Sequence, residues 1–245
     1  MAYDSPLRPP ATALARPSGP GTSITVIQTL RLRMSNVHLV VGKTGPVLID
    51  TGSPGEVDRI LDWIKGLGLP APVTIILTHG HADHAGSAAE LRRRTGARLC
   101  LAPGDWKMAA AGQNGPLGPV RLSAVLLQHL VPARFEPFVP DVALDESVKM
   151  ADLGLDATLL ATPGHTAGSV SLVFSDGQAV IGDVLMGGHL GGLLRPHHPR
   201  AHYFAQDAAE NRKSLSRLLS HGAKRLHVGH GGPLNAETLK DRTLP

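Results

Sequence analysis

Residues 78–86 read THGHADHAG, with three histidines and an aspartate between positions 79 and 84, directly after the apolar run VTIIL of residues 73–77. A core absorbs such a cluster poorly, because every buried ring nitrogen needs a partner. A solvent loop has no reason to collect it. Imidazole nitrogen and carboxylate oxygen are, however, the donors that zinc and its first-row neighbours take. His79 and His81 alternate on an extended turn, and Asp83 and His84 follow at the start of the next helix. Two cations a few ångströms apart use those four directions better than one tetrahedral centre does. Each pair then needs further donors from elsewhere.

Working outward, three candidates stand at strand exits with glycine beside them: His165 in TPGHTAGS (162–169), Asp183 in VIGDVL (180–185) and His230 in VGHGGP (228–233). Glycine lets the backbone turn sharply and approach a neighbour closely. His79, His81 and His165 then serve one ion, and Asp83, His84 and His230 the other, with Asp183 between them through its two oxygens. A water shared by both ions would ionise near neutral pH and become the nucleophile. A structural zinc site is the bland alternative, but it favours four closed ligands and cysteine.

Together with LIDTG (48–52), which contains Asp50, these stretches make the sequence resemble the metallo-β-lactamase-fold hydrolases, in particular their glyoxalase II- and lactonase-like members, over about residues 23–235. The resemblance implies an α/β fold, a four-layer αββα sandwich with the metal site at the open edge of its two sheets. It implies two divalent cations, zinc first, with iron or manganese as alternatives. It also gives Asp50 the task of orienting the turn that carries the ligands, and Asp83 and Asp183 the catalytic roles, Asp83 by orienting the nucleophile and shuttling its proton. Iron oxygenases of the superfamily use fewer ligands. The thiolate-using lactamases have cysteine where Asp183 stands, and the other lactamase groups lack that bridge, so β-lactam amide hydrolysis is the runner-up. Hydroxyacylglutathione hydrolases continue into a C-terminal helical region, whereas 15 residues follow His230 here. Transfer-RNA processing relatives carry a gripping arm and a basic surface, and the sequence has neither. The expectation is a hydrolase of an ester, lactone or thioester, and the competing class is a non-catalytic metal-holding scaffold.

The rest of the chain sets the frame. Its 245 residues, 42% hydrophobic and 18% charged, suit a soluble globular protein, and 3% aromatics leave the core to Val, Leu, Ile and Ala. A net charge of +4, clustered only at Arg92–Arg93–Arg94, offers no basic stripe with stacking aromatics, so nucleic acid is not an expected partner. No apolar run is long enough to span a bilayer, which takes roughly 18 residues. Residues 1–22 hold five prolines and no apolar signal core, and read as an extended arm before a domain over 23–245. A lone Cys100 in a short apolar strand fits a reducing compartment, hence the cytoplasm.

Strands are expected at 23–30, 36–42, 45–50, 71–77, 97–102, 157–161, 169–175, 178–182 and 224–229, in antiparallel-looking groups. Helices are expected from a capping box at Ser53, Pro54 and Glu56, from the His-rich turn to about Arg94, and over 207–220. Residues 103–112 read as a short helix or turn, and 112–145 as an insertion that could form a lid. Within it, 118–132 is apolar around its whole circumference, which suits core packing, a homodimer contact or a roof over an apolar acyl group of a small-molecule substrate. A Gly- and His-rich loop follows at 186–204; there His189, His202 and Tyr203 are candidate substrate contacts, each with an ordinary surface or packing role as the alternative. His38, His129, His221 and His227 carry no signal.

Overall fold

Alternation of side chains along the strands divides the molecule into layers. The computed structural model describes residues 24–120, 124, 125, 128, 131 and 133–239; the arm expected over 1–22 and part of 118–132, His129 included, lie outside the described residues. β1 (Ile27–Arg31), β2 (Asn36–Gly42) and β3 (Gly45–Ile49) form an antiparallel meander. α1 (Val57–Gly66) then crosses over to β4 (Thr74–Ile76), which lies parallel to β3. After α2 (Ala82–Ala85) and α3 (Ala88–Thr95), β5 (Arg98–Leu101) again lies parallel. α4 (Trp106–Ala111) and β6 (Val142–Ala143) complete a sheet of order β1-β2-β3-β4-β5-β6. Its second half is therefore parallel, not antiparallel as expected, because a helical crossover returns each strand in the same direction.

The second sheet is built from β7 (Ala157–Ala161), β8 (Val170–Phe174) and β9 (Gln178–Val180), all antiparallel. In place of the expected loop at 186–204, β10 (Met186–His189) and β11 (Leu194–Arg200) make a separate hairpin. α5 (Ala208–Ser220) leads to β12 (Arg225–His227), parallel to β9, and β13 (Leu234–Asn235) closes the order β13-β12-β9-β8-β7.

Three apolar cores separate four layers. Val47, Ile49, Ile76 and Cys100 face Leu159, Val170, Leu172 and Val180 across the two sheets. Residues one position away in the first sheet, Leu48, Ile75, Leu99 and Leu101, face the helices, where they meet Val57, Ile60 and Ile64 of α1 and Leu91 of α3. Val173, Ala179 and Ile181 of the second sheet meet Leu215 and Leu218 of α5. Period-2 strands buried on both faces are the signature of a sheet covered on both sides. The result is the αββα sandwich, each fully buried Leu or Ile contributing about 1.5–3 kcal/mol relative to exposure.

Two helix starts differ from expectation. α1 begins at Val57, with Ser53 in the loop before it; Glu56 Oε2 accepts the Ser53 N–H at 2.8 Å, but the Ser53 hydroxyl does not reply. Glu56 Oε1 instead takes the N–H of Arg33 at 3.0 Å, so the carboxylate joins two loops as well as capping. The helix expected through Arg94 is broken after Ala85. Gly86 packs against Pro54, donates its N–H to Gly52 O at 2.9 Å, and Ser87 donates its hydroxyl to Ser53 O at 2.6 Å. Fastening the chain to the loop after β3 wins over continuing the helix.

Candidate metal centre

The donors leave their strands at one edge of the sandwich. Asp50 follows β3, the His79–His84 turn follows β4, His165 follows β7, Asp183 follows β9 and His230 follows β12. All are buried. The structure brings all seven candidate donors together in overlapping groups: His79, His81 and His165; His79, His84 and Asp183; Asp83, His84 and His230. Asp183 Oδ2 lies at the middle, 3.4 Å from His84 Nε2, 3.4 Å from His165 Nε2, 3.3 Å from His230 Nε2 and 3.9 Å from His79 Nε2. His230 Nε2 is also 3.4 Å from Asp83 Oδ2.

Four of the rings are held from their outer side. His84 Nδ1 donates to Asp50 Oδ2 at 2.8 Å, His230 Nδ1 to Met34 O at 2.7 Å, His165 Nδ1 to Phe204 O at 2.9 Å and His79 Nδ1 to Thr78 Oγ1 at 3.1 Å. Such bonds fix the tautomer and aim the other nitrogen, as around metal-binding histidines generally. The atoms aimed inward make no hydrogen bond: His79, His84 and His230 Nε2 and Asp183 Oδ1 are buried without one, as is His81 Nε2 on the far side of its ring. Orphaned buried donors and acceptors are costly. His81 Nδ1 and His165 Nε2 face each other at 3.0 Å, close to the roughly 3.3 Å between two ligands that each lie about 2.0–2.1 Å from one tetrahedral cation. The residues therefore fit divalent cations.

The charge balance agrees. Burial pushes His79 well below the ordinary histidine value, and brings His81 and His165 to about 4, so these rings stay neutral. Burial works against protonating His84 and His230 too, yet Asp183 and the neighbouring carboxylates hold His84 well above its ordinary value and His230 up to about 10. Burial would likewise raise Asp83 and Asp183, but the surrounding imidazoles hold both carboxylates below the usual range. Without cations, protons on His84 and His230 balance the two carboxylates; a cation takes their place and releases them.

Asp50 is a non-glycine residue in the left-handed region, φ 64°, a geometry that short polar side chains tolerate best. Its oxygens collect the Thr78 N–H at 2.8 Å and the Thr78 hydroxyl at 2.9 Å as well as His84, tying β3 to the start of the histidine turn. Asp105, just before α4, does comparable work that the sequence did not disclose. It is buried and accepts from Gly80 N at 2.8 Å, Thr166 Oγ1 at 2.7 Å and Gly168 N at 2.9 Å, so one carboxylate joins the His79–His81 turn to the His165 loop. The turn after β1 is also involved: Ser35 donates to Asp83 O, and Asn36 Nδ2 to Gly231 O at 2.8 Å.

Beside the donors lies a cavity of about 380 Å³. His81, Asp83, Asp183, His202 and His230 form its floor; Met34, Leu117, Val131, Leu190, Leu193 and Phe204 make its wall largely apolar. Of the candidate substrate contacts, His202 and Tyr203 line this cavity. His189 does not; it lies on β10 with its ring against the Arg200 guanidinium. Leu117 and Val131, from the segment expected to roof the site, stand in the wall. No helix among the described residues is long and apolar enough to cross a membrane.

Comparison with known proteins agrees with this geometry. The profile of the metallo-beta-lactamase superfamily matches residues 30–230. The probable metallo-hydrolase YflN of Bacillus subtilis (strain 168) is 27% identical over 87% of this chain and 87% of its own length. A hydroxyacylglutathione hydrolase of Ectopseudomonas mendocina (strain ymp) is 28% identical over 72% of this chain, which spans about half, 54%, of that relative. Among solved structures, TTHA1623 in a di-iron-bound form superposes with a TM-score of 0.64 at 30% identity, covering 90% of this chain and 98% of that one. The BLEG-1 B3 metallo-beta-lactamase superposes with a TM-score of 0.63 at 20% identity over 89% and 97% of the two chains, a likeness of fold.

Proposed function

Because this chain belongs to the metallo-beta-lactamase superfamily, and is a metallo-hydrolase by that membership and its His/Asp cluster, we propose that it cleaves an ester, lactone or thioester bond of a small molecule with an apolar acyl group. One observation carries the reading: His81 and His230 Nε2 and Asp183 Oδ1, buried without hydrogen bonds, belong to the floor of a cavity whose wall is mostly apolar. The name of the hydroxyacylglutathione hydrolase relative favours a thioester within that class.

His79, His81 and His165 would hold one divalent cation and Asp83, His84 and His230 a second, with Asp183 shared between the two groups. When bound, such cations ionise water at neutral pH and polarise a scissile carbonyl. Imidazole and carboxylate without thiolate suit zinc and iron alike, and elemental analysis of the purified protein decides between them. Asp83 lines the cavity, where its carboxylate would orient the attacking water, take its proton and pass it to the leaving group. Leu190 and Leu193 receive the acyl chain and exclude solvent. A lone thiol, which offers no intrachain disulfide, supports the cytoplasm as its compartment.

The test is turnover of ester, lactone, thioester, phosphodiester and β-lactam substrates by the metal-loaded protein. Hydrolysis of acyl substrates, abolished by Asp183→Ala and by chelation, is expected. Preference for a β-lactam or phosphodiester, or two bound metals without any turnover, overturns the reading.

A further inference from the structure

His202 is an additional imidazole at the centre, outside the seven donors. It follows β11, the strand that returns the chain from the hairpin to the cluster, and is only 8% exposed. Its Nε2 is 3.3 Å from Asp183 Oδ2. The ring stands against His165, centroids 4.6 Å apart, and against His230, 5.3 Å apart, so it lies over the join between the two sets of donors and faces the cavity. By proximity alone His202 groups with His165 and Asp183 as a cation ligand.

Hydrogen-bond accounting gives a different assignment. His202 Nδ1 lies 3.2 Å from the N–H of Phe204 and 3.1 Å from its carbonyl oxygen, and one nitrogen cannot both accept from the first and donate to the second. The carbonyl already receives His165 Nδ1–H at 2.9 Å. The Phe204 N–H is buried, and among the described residues its acceptor is His202 Nδ1; the flanking pairs, Val120 N to Tyr203 O and Ala205 N to Gly118 O, use other groups. A proton on Nδ1 would orphan that N–H, and a buried donor without an acceptor is costly. Nδ1 is therefore the acceptor, and the neutral ring carries its proton on Nε2, the atom that faces Asp183 and the cavity.

We propose that His202 is a fixed hydrogen-bond donor of the reaction and not a metal ligand: its Nε2–H faces Asp183 Oδ2 in the free protein and donates to the carbonyl oxygen of the bound acyl substrate as negative charge develops there. No proton is transferred in this role. The hairpin then has a purpose beyond lining the cavity. Gly187 N donates to His230 O at 2.7 Å and Gly232 N to Pro196 O at 2.8 Å, so both strands are fastened to the loop of another donor, and His202 is delivered with little freedom. Preorganised donors of this kind act because they need no rearrangement when charge appears.

The substrate half of the inference rests on the hydrolase reading; the tautomer half does not. Nitrogen-15 NMR of the histidine side chains in the metal-loaded protein is expected to show His202 protonated on Nε2 with Nδ1 bare, and an Nδ1–H signal overturns the proposal whatever the enzyme hydrolyses. His202→Ala should keep both metals and the absorption spectrum of the cobalt-substituted protein while kcat falls by roughly 10²–10³-fold with KM changed much less, the usual cost of one such donor. His202→Gln, which retains an N–H, should recover part of the loss. Loss of a metal or a changed cobalt spectrum in His202→Ala makes it a ligand and sinks the proposal, as does unchanged kcat. Absence of turnover in the parent protein with the Nε2–H tautomer present counts against the hydrolase reading alone.

Discussion

At Gly229, a Cβ would overlap Asp183 Oδ1 and the Cε1 of His84, so Gly229→Ala intrudes on two donors without deleting either. The variant should fold, yet bind metal more weakly than the parent in competition with a chromogenic chelator. Asp50→Asn probes the same carboxylate-rich floor from behind. Asparagine tolerates the left-handed backbone of residue 50, but it has one acceptor oxygen where the carboxylate has two, so either the His84 Nδ1–H or the Thr78 N–H meets an amide NH2 instead. Supports of this kind typically contribute 10–100-fold in metal affinity. A drop of about that size is expected in the same competition assay, with thermal unfolding little changed.

Among the elements, the β10–β11 hairpin carries the exposed apolar tip of the cavity wall. Leu193 is 82% exposed while lining the cavity, so Leu193→Ser should raise KM for long acyl substrates several-fold and leave stability within about 0.5 kcal/mol. Asp105, by contrast, fastens two loops from inside. Asp105→Ala strands the Gly80 and Gly168 N–H groups, and denaturant unfolding should show a loss of about 1–3 kcal/mol together with weaker metal binding. These two features were also the least legible in the sequence. The hairpin contains Gly187, Gly188, Pro196 and Pro199, poor strand formers, and its register depends on ties to His230 and Gly232 that no local pattern records. Asp105 meets Gly80, Thr166 and Gly168 across 25, 61 and 63 positions, and nothing near it in the chain announces those partners. β2 and β7 could be read to their ends, whereas β4 is shorter than its apolar run; the early quartet stood out as a dense His/Asp cluster after a strand, and His165, Asp183 and His230 by the glycines beside them. The parallel run β3 to β6 was missed because direction depends on the crossover helices, not on the strands.

For the molecule as a whole, acid stability follows from rings buried neutral away from the donors. His38 stands edge-on to His227, and burial brings them to about 3 and about 4. In the unfolded chain both titrate near 6.5, so below that value the unfolded state binds more protons. Their contribution is complete above about pH 6.5 and is lost as the pH falls toward 4 and then 3. His230 acts in the opposite sense in the metal-free protein: Asp183 overcomes burial to hold it at about 10, so its contribution is present below about 6.5 and is lost as the pH rises through 10. The thermal midpoint of the metal-free protein should therefore fall on acidification from about pH 7 to about pH 4, and fall again at strongly alkaline pH, by scanning calorimetry. Restoring metal should raise the midpoint more at about pH 7 than at about pH 4, where His81 and His165 also begin to take up protons.

Between the two sheets, Cys100 is 0% exposed, and burial pushes its thiol up to about 12. An alkylating reagent therefore has nothing to attack until the halves of the sandwich separate. This solitary thiol is a built-in clock: the pace at which it is capped reports how often the interior opens to solvent, and a variant that merely loosens an outer loop leaves that pace unchanged.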